Sequence, residues 1–289
     1  MTDSVLAVEG LQKRYPGPGG LGFLTAVDGV SFSVRRGEVV GFLGPNGAGK
    51  TTTLKCILGL LRPTSGTISV FGLPPASAGA RRRMGYIPEN PDYDDSFTPA
   101  EYLGFFGSMR GLDWGGSDTA ILLERVGLGR WAGERLRKFS KGMRQKMSLA
   151  LALQGSPDLL VMDEPTGGFD PLMRKEFRDI LLEENGRGAA CLLSSHILSD
   201  IEAVCSRALI LAGGRVVREG PMSDLLAVRS TYRMLLRSPA GAEEERIVPE
   251  GSLQAEIDAA RASGLEVLGV GREIASLEDV FLTATGGPA

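Results

Sequence analysis

Apolar and polar positions alternate near the start of the chain, from Val5 to Val8 and again from Ala26 to Val34. A Gly/Pro-rich interruption, Pro16 to Gly20, separates them, so the pattern predicts antiparallel strands joined by a long turn. The pattern then changes. Val39-Val40-Gly41-Phe42-Leu43 is apolar without a break, as a strand buried on both faces of a parallel sheet requires. Gly85 to Ile87, Leu159 to Met162, Ala190 to Leu193 and Leu209 to Leu211 read the same way, with helical patterns between them. Strands alternating with helices predict an α/β domain on a mainly parallel sheet.

Two stretches depart from that alternation. From about Pro91 to Gly155 helical periodicity dominates, which predicts a helical insertion. Past about Pro221 the order is an apolar-rich run, Thr231 to Arg237, a polar Gly/Glu-rich turn, a helical stretch from Leu253 to Ala262, then Leu265 to Val270. This predicts a small α+β appendage, so the expected division is a main domain over residues 1–221 and an accessory domain over 222–289.

Composition narrows the function classes. The chain has 289 residues, 43% hydrophobic and 23% charged, enough for a sizeable core and unlike a disordered chain. Its 32 basic and 35 acidic residues give a net charge of −3, so bulk electrostatics makes no case for a nucleic-acid partner. Arg81-Arg82-Arg83 is the one basic run; at the end of an expected helix it answers the helix dipole. Cys56, Cys191 and Cys205 sit in apolar stretches without metal-ligand spacing, which suits buried, reduced thiols in a cytosolic protein. The start, Met1-Thr2-Asp3-Ser4, has no signal-peptide pattern, and no run of about 18 apolar residues appears. If the protein serves a membrane, another chain is expected to do the spanning.

The chemistry concentrates at strand ends. After the first buried strand comes Gly44-Pro45-Asn46-Gly47-Ala48-Gly49-Lys50-Thr51, matching G-x-x-x-x-G-K-[ST], with Thr52 next. Glycines let successive backbone N–H groups turn inward onto phosphate oxygens, and the following helix adds its positive end. Lys50 would reach the β- and γ-phosphates, and the Thr51 hydroxyl would ligate Mg²⁺. A loop of this kind also occurs in GTPases, kinases and helicases. Leu159-Leu160-Val161-Met162-Asp163-Glu164 is an apolar strand ending in two acids. Asp163 is a candidate Mg²⁺ ligand, and Glu164 is placed to polarise an attacking water. His196, the only histidine, follows another apolar strand, where a neutral imidazole would bond the γ-phosphate or that water, unless it is simply structural.

Phe139-Ser140-Lys141-Gly142-Met143-Arg144-Gln145-Lys146, opening an expected long helix, resembles the signature sequence of ABC ATPases, usually L-S-G-G-Q. The remaining motifs fall in that family's order, and the resemblance covers about Val5 to Gly220. It implies a RecA-like P-loop NTPase fold with an antiparallel β subdomain and a helical subdomain. It also implies that Tyr15 stacks on adenine and that Asp163 and Glu164 are the Walker B pair. Gly168-Phe169-Asp170 matches the loop crossing to a partner subunit, and His196 the switch histidine. Ser140, Lys141 and Gly142 would then face the γ-phosphate of ATP held by the other subunit of a head-to-tail dimer, either a second copy or a homologue. The expected partner is a separate transmembrane permease, with the chain cytoplasmic and peripheral on the inner face of the membrane.

Some positions depart from the family pattern. Lys141 replaces a signature glycine and Met143 the glutamine. Glu89, in Met84-Gly85-Tyr86-Ile87-Pro88-Glu89, stands where glutamine is usual, and a carboxylate there would tighten Mg²⁺ binding. Together with the appendage, and with Ser276 to Leu282 resembling its closing helix, these features resemble the ABC-2-type exporters. The alternative is a soluble ABC ATPase of translation or DNA maintenance. Those resemble tandem domains or carry a long coiled coil; here Lys50 and Asp163 lie about 110 residues apart without sustained heptads.

Overall fold

Each uninterrupted apolar run becomes a strand. The computed structural model describes residues 4–17, 19, 22–195, 197–226, 228–274 and 276–285. β1 (Ser4–Pro16) and β2 (Phe23–Arg35) pair antiparallel, each far longer than its alternating segment. Pro18 and Gly20 of the expected turn between them lie outside the described residues. The five positions of β3 (Val39–Leu43) are all buried, and the strand leads through a loop to α1 (Lys50–Ile57). β4 (Ser65–Val70) returns to the other edge of β1, giving a sheet of order β2-β1-β4. The sequence did not single out β4, because only Val70 is fully buried and no alternation marks it.

After α2 (Ala78–Arg82) and β5 (Met84–Ile87) comes the helical section, α3 (Pro99–Met109), α4 (Gly116–Arg125) and α5 (Lys141–Leu153). The described residues there form no strand. α3 starts with a reciprocal cap: the Glu101 amide donates to Thr98 Oγ1 at 3.2 Å, and the Thr98 amide donates to Glu101 Oε2 at 2.8 Å. The chain re-enters the sheet with β6 (Leu159–Asp163), α6 (Pro171–Gly186), β7 (Ala190–Ser194), α7 (Leu198–Val204), β8 (Arg207–Ala212) and β9 (Arg215–Pro221).

The large sheet has six strands in the order β5-β6-β7-β3-β8-β9. β5, β6, β7, β3 and β8 run parallel, and a two-residue Gly213-Gly214 turn brings β9 back beside β8. β7 lies between β3 and β6, so the carboxyl ends of all three strands meet: Phe42 pairs with Ser194, and Ser194 with Asp163. In a parallel sheet that is the edge at which ligand sites are assembled. Beneath it a continuous apolar core joins Val27, Val30 and Phe32 of β2 to Val40 and Phe42 of β3 and Leu54 and Ile57 of α1.

The chain divides into two compact units, Met1–Gly220 and Pro221–Ala289. The second holds α8 (Met222–Leu225), β10 (Val228–Arg237), β11 (Glu243–Pro249), α9 (Leu253–Ala262), β12 (Glu266–Ile274) and α10 (Leu277–Thr285). Its sheet, in the order β11-β10-β12, buries Met234, Leu236 and Val248 against Ala260 of α9. β11 occupies part of what the sequence reads as a polar turn. Glu243, Glu244, Glu245 and Arg246 are exposed on a sheet edge, as is Ile247, so no position of the strand is buried before Val248.

Candidate functional site

The loop Gly44–Gly49 is shaped by what surrounds it. A Cβ on Gly44 would come within 2.6 Å of the Leu211 carbonyl oxygen and 2.9 Å of Ala48 Cβ. Gly49 has φ +99°, and a Cβ there would strike the carbonyl oxygen of Ala26 in β2. Glycine is therefore required at both places, once for close approach and once for the left-handed backbone as well. Pro45, Asn46 and Gly47 are exposed at the lip, while Gly44, Ala48, Gly49 and Lys50 are buried. Thr51 and Thr52 are half-buried on the first turn of α1, whose Thr53 hydroxyl donates back to the Gly49 carbonyl at 2.9 Å.

Lys50 is only 7% exposed and folds over the loop. Its Nζ donates to the Gly44 carbonyl at 2.6 Å and lies 3.9 Å from Glu164 Oε1. A buried ammonium needs such partners. Asp163 is 1% exposed at the end of β6, and the Ser194 hydroxyl donates to its Oδ1 at 2.7 Å. The same hydroxyl accepts from the Glu164 amide at 3.1 Å. Glu164 has φ +49°, in the left-handed region that a non-glycine residue occupies at a cost. The turn swings its carboxylate out of the strand line and toward Lys50.

The structure thus brings Lys50, Asp163 and Glu164 together. It adds Ser194, which the sequence reading did not assign; a hydroxyl ending a central strand, level with the acid of its neighbour, was the available signal. His196 lies outside the described residues. Ser195, just before it, is buried and accepts from the Ile197 amide at 2.9 Å.

Ser140, Lys141 and Gly142 are placed by α5. Ser140 is exposed and caps the helix, its Oγ accepting from the Met143 amide at 3.3 Å. Gly142 is buried against Met173, whose Cε a Cβ there would meet at 2.8 Å, so the methionine side chain would have to shift for anything larger. Lys141 runs along Gly168, and Asp170 caps α6 by accepting from the Met173 amide at 2.8 Å. The signature turn and the Gly168–Asp170 loop therefore form one surface, on the starts of α5 and α6.

Glu89 is exposed, and the preceding Pro88 carbonyl accepts from Gln145 Nε2 of α5 at 3.2 Å. Burial, with the charges of Asp163 and Glu89 adding to it, pushes the Tyr86 phenol up to about 12. The acidic loop after Glu89 is largely occupied within the chain. Asp95 pairs with Arg144 at 2.5 Å, and Asp94 accepts from both the amide and the hydroxyl of Ser96. Tyr15 ends β1, half-buried, opposite Leu24 and with Lys13 Nζ 5.3 Å from its ring centroid. Beside it Phe23 and Leu24 are 75% and 64% exposed, an apolar surface of the kind a nucleobase stacks on.

A glycine loop between a buried strand and a helix, with two carboxylates at the end of a strand one removed in the sheet, defines a P-loop nucleotide hydrolase. The family model described as ABC transporter matches residues 27–167. Among relatives, the Nod factor export ATP-binding protein I of Ralstonia nicotianae is 35% identical over 98% of this chain and 94% of its own length. An uncharacterised ABC transporter ATP-binding protein of Synechocystis sp. is 34% identical over 88% of this chain and 76% of its own. A solved ATP-binding subunit of an ABC transporter is 34% identical and superposes with a TM-score of 0.69 over 77% of this chain and 92% of that one. The dimeric cassette MJ0796 bound to ADP and Pi, 22% identical with a TM-score of 0.70, shares the fold. The chain belongs to the family of ABC transporter ATP-binding proteins: it binds and hydrolyses ATP as a transporter subunit, and the soluble alternative is not supported.

Proposed function

We propose that this chain powers export through a separate transmembrane permease, as a head-to-tail dimer that closes on ATP and reopens after hydrolysis. The observation that carries the reading is the arrangement at the strand ends, where Lys50 and Glu164 lie 3.9 Å apart beside the P-loop. The loop amides and Lys50 hold the β- and γ-phosphates, and Lys50 exchanges the Gly44 carbonyl for phosphate oxygens. Glu164 polarises the water that attacks the γ-phosphate, with His196 steadying that water or the phosphate. Tyr15 stacks on adenine.

The Thr51 hydroxyl and the Asp163 carboxylate are hard oxygen donors that fit Mg²⁺, and a Mg²⁺ ion there would neutralise phosphate charge. Ser194 orients Asp163 for that task. Glu89 adds a further carboxylate toward the ion. Ser140, Lys141, Gly142 and Asp170 face the nucleotide of the other protomer, at the starts of two helices where an anion is favoured.

Export is supported by the relatives named for Nod factor export, which match along nearly their whole length. A peripheral place on the inner membrane face is supported by the described residues, none of whose helices is long and apolar enough to cross a membrane. The ATPase domain is assigned to residues 1–221, with its helical subdomain at about 91–155, and the accessory domain to 222–289. Tagging the chain in its host and identifying what copurifies from gently solubilised membranes tests this. A stoichiometric polytopic protein is expected; recovery only with soluble partners would overturn the transport reading.

A further inference from the structure

Several arginines of the first unit form ion pairs: Arg36 and Arg83 with Asp158, Arg125 with Glu183 and Glu184, Arg207 with Glu38. Arg174, Lys175 and Arg178 on α6 are grouped together without such pairs. Among the described residues they have no ion pair and no side-chain hydrogen bond, and Arg174 Nε is buried without a partner. All three line one cavity of about 230 Å³ between α6 and α7. Asp200, the one carboxylate among its described lining residues, already accepts from the Thr166 hydroxyl at 2.7 Å. Ser195 adds a hydroxyl to the wall, and Phe177 and Leu193 make part of the lining apolar.

A cavity with three cations, one engaged carboxylate and partly apolar walls carries surplus positive charge, with Arg174 and Arg178 half-buried and Lys175 exposed at its rim. It is smaller than the roughly 300–1,000 Å³ pockets that take drug-sized ligands, so a small ion is the fitting guest. Guanidinium forks and hydroxyls together suit a tetrahedral oxyanion. The cavity also adjoins the catalytic elements. Thr166 follows Glu164 by two positions, and Ser195 directly follows Ser194, the hydroxyl on Asp163.

We propose that this cavity binds inorganic phosphate, held by Arg174, Lys175 and Arg178 apart from the P-loop. The source is either the phosphate that ATP cleavage releases, which rests on the ATPase reading above, or phosphate from solution.

Equilibrium binding of radiolabelled phosphate to the full chain, with the P-loop filled by ADP, tests the site itself. One phosphate is expected, bound about tenfold or more weaker in Lys175→Gln/Arg178→Gln. Lys175→Arg/Arg178→Lys should restore it, and unchanged melting temperatures exclude a folding defect. Lys50→Ala should keep it without nucleotide. Phosphate binding abolished by Lys50→Ala but untouched by the double Gln variant would place the ion in the P-loop and overturn the proposal, with the ATPase reading intact. Absence of turnover in the parent chain would instead defeat that reading and leave the binding arm valid.

A second arm separates the sources. Phosphate release after a single turnover, followed with a fluorescent phosphate sensor alongside quenched-flow cleavage, should change severalfold in the double Gln variant while cleavage does not, if the guest is product. Release unchanged while binding is weakened assigns the cavity to phosphate from solution.

Discussion

Ser194 shows how much a single side chain adds at this site. Its hydroxyl donates to Asp163 and accepts from the Glu164 amide, so one residue fixes both acids. Ser194→Ala is expected to lower ATP turnover by about tenfold while ATP binding persists, since positioning groups of this kind are worth roughly that much. Glu164→Gln is expected to slow hydrolysis by about 100-fold or more and leave ATP binding in place, the usual range for losing a general base. Steady-state rates beside nucleotide titrations measure both; parental turnover in Glu164→Gln would refute its assignment as the base. The thiols offer an independent check. Burial raises the pKa values of Cys56, Cys191 and Cys205, so thiolate is scarce at neutral pH and the sulfurs are shielded. A chromogenic disulfide reagent should react with them only as denaturant unfolds the chain.

Among the elements, helix starts matter most. α5 and α6 begin at Ser140 and Asp170, each capped by its own side chain, so the cap that ends a loop also presents the residues expected to meet a nucleotide. α3 has a cap that carries no such chemistry, which makes it a test of stability alone. Thr98→Ala removes the capping box and should cost about 1 kcal/mol. For a unit of this size that corresponds to a fall of roughly 2–4 °C in Tm. ATP affinity should not change. A thermal melt with and without ATP separates these outcomes, and an unaltered Tm would show the cap to be dispensable.

At the scale of the molecule, each unit has its own core, one beneath the large sheet and a smaller one around Met234 and Leu236. The P-loop, both acids and the signature turn all lie in Met1–Gly220. A chain ending at Pro221 is therefore expected to fold and keep ATP binding, measured by nucleotide-dependent thermal stabilisation. Loss of that stabilisation would mean that the second unit contributes to the site.

The sequence by itself pointed to the chemistry and to the five parallel strands of the main sheet, though not to β9 at its edge. A glycine loop after a solid apolar run, and two acids ending another, are local patterns whose physical demands show in the residues themselves. Tertiary structure alone decided what depends on neighbours distant in the chain. β4 and β11 carry too few buried positions to read as strands, and pairing with β1 and β10 makes them so. Ser194 gains its role only because β7 lies between β3 and β6, and the cations of α6 gather around one cavity only when α7 supplies its other wall. Backbone pairing and enclosed charge are properties of packed neighbours, and a linear pattern holds no record of which neighbours those will be.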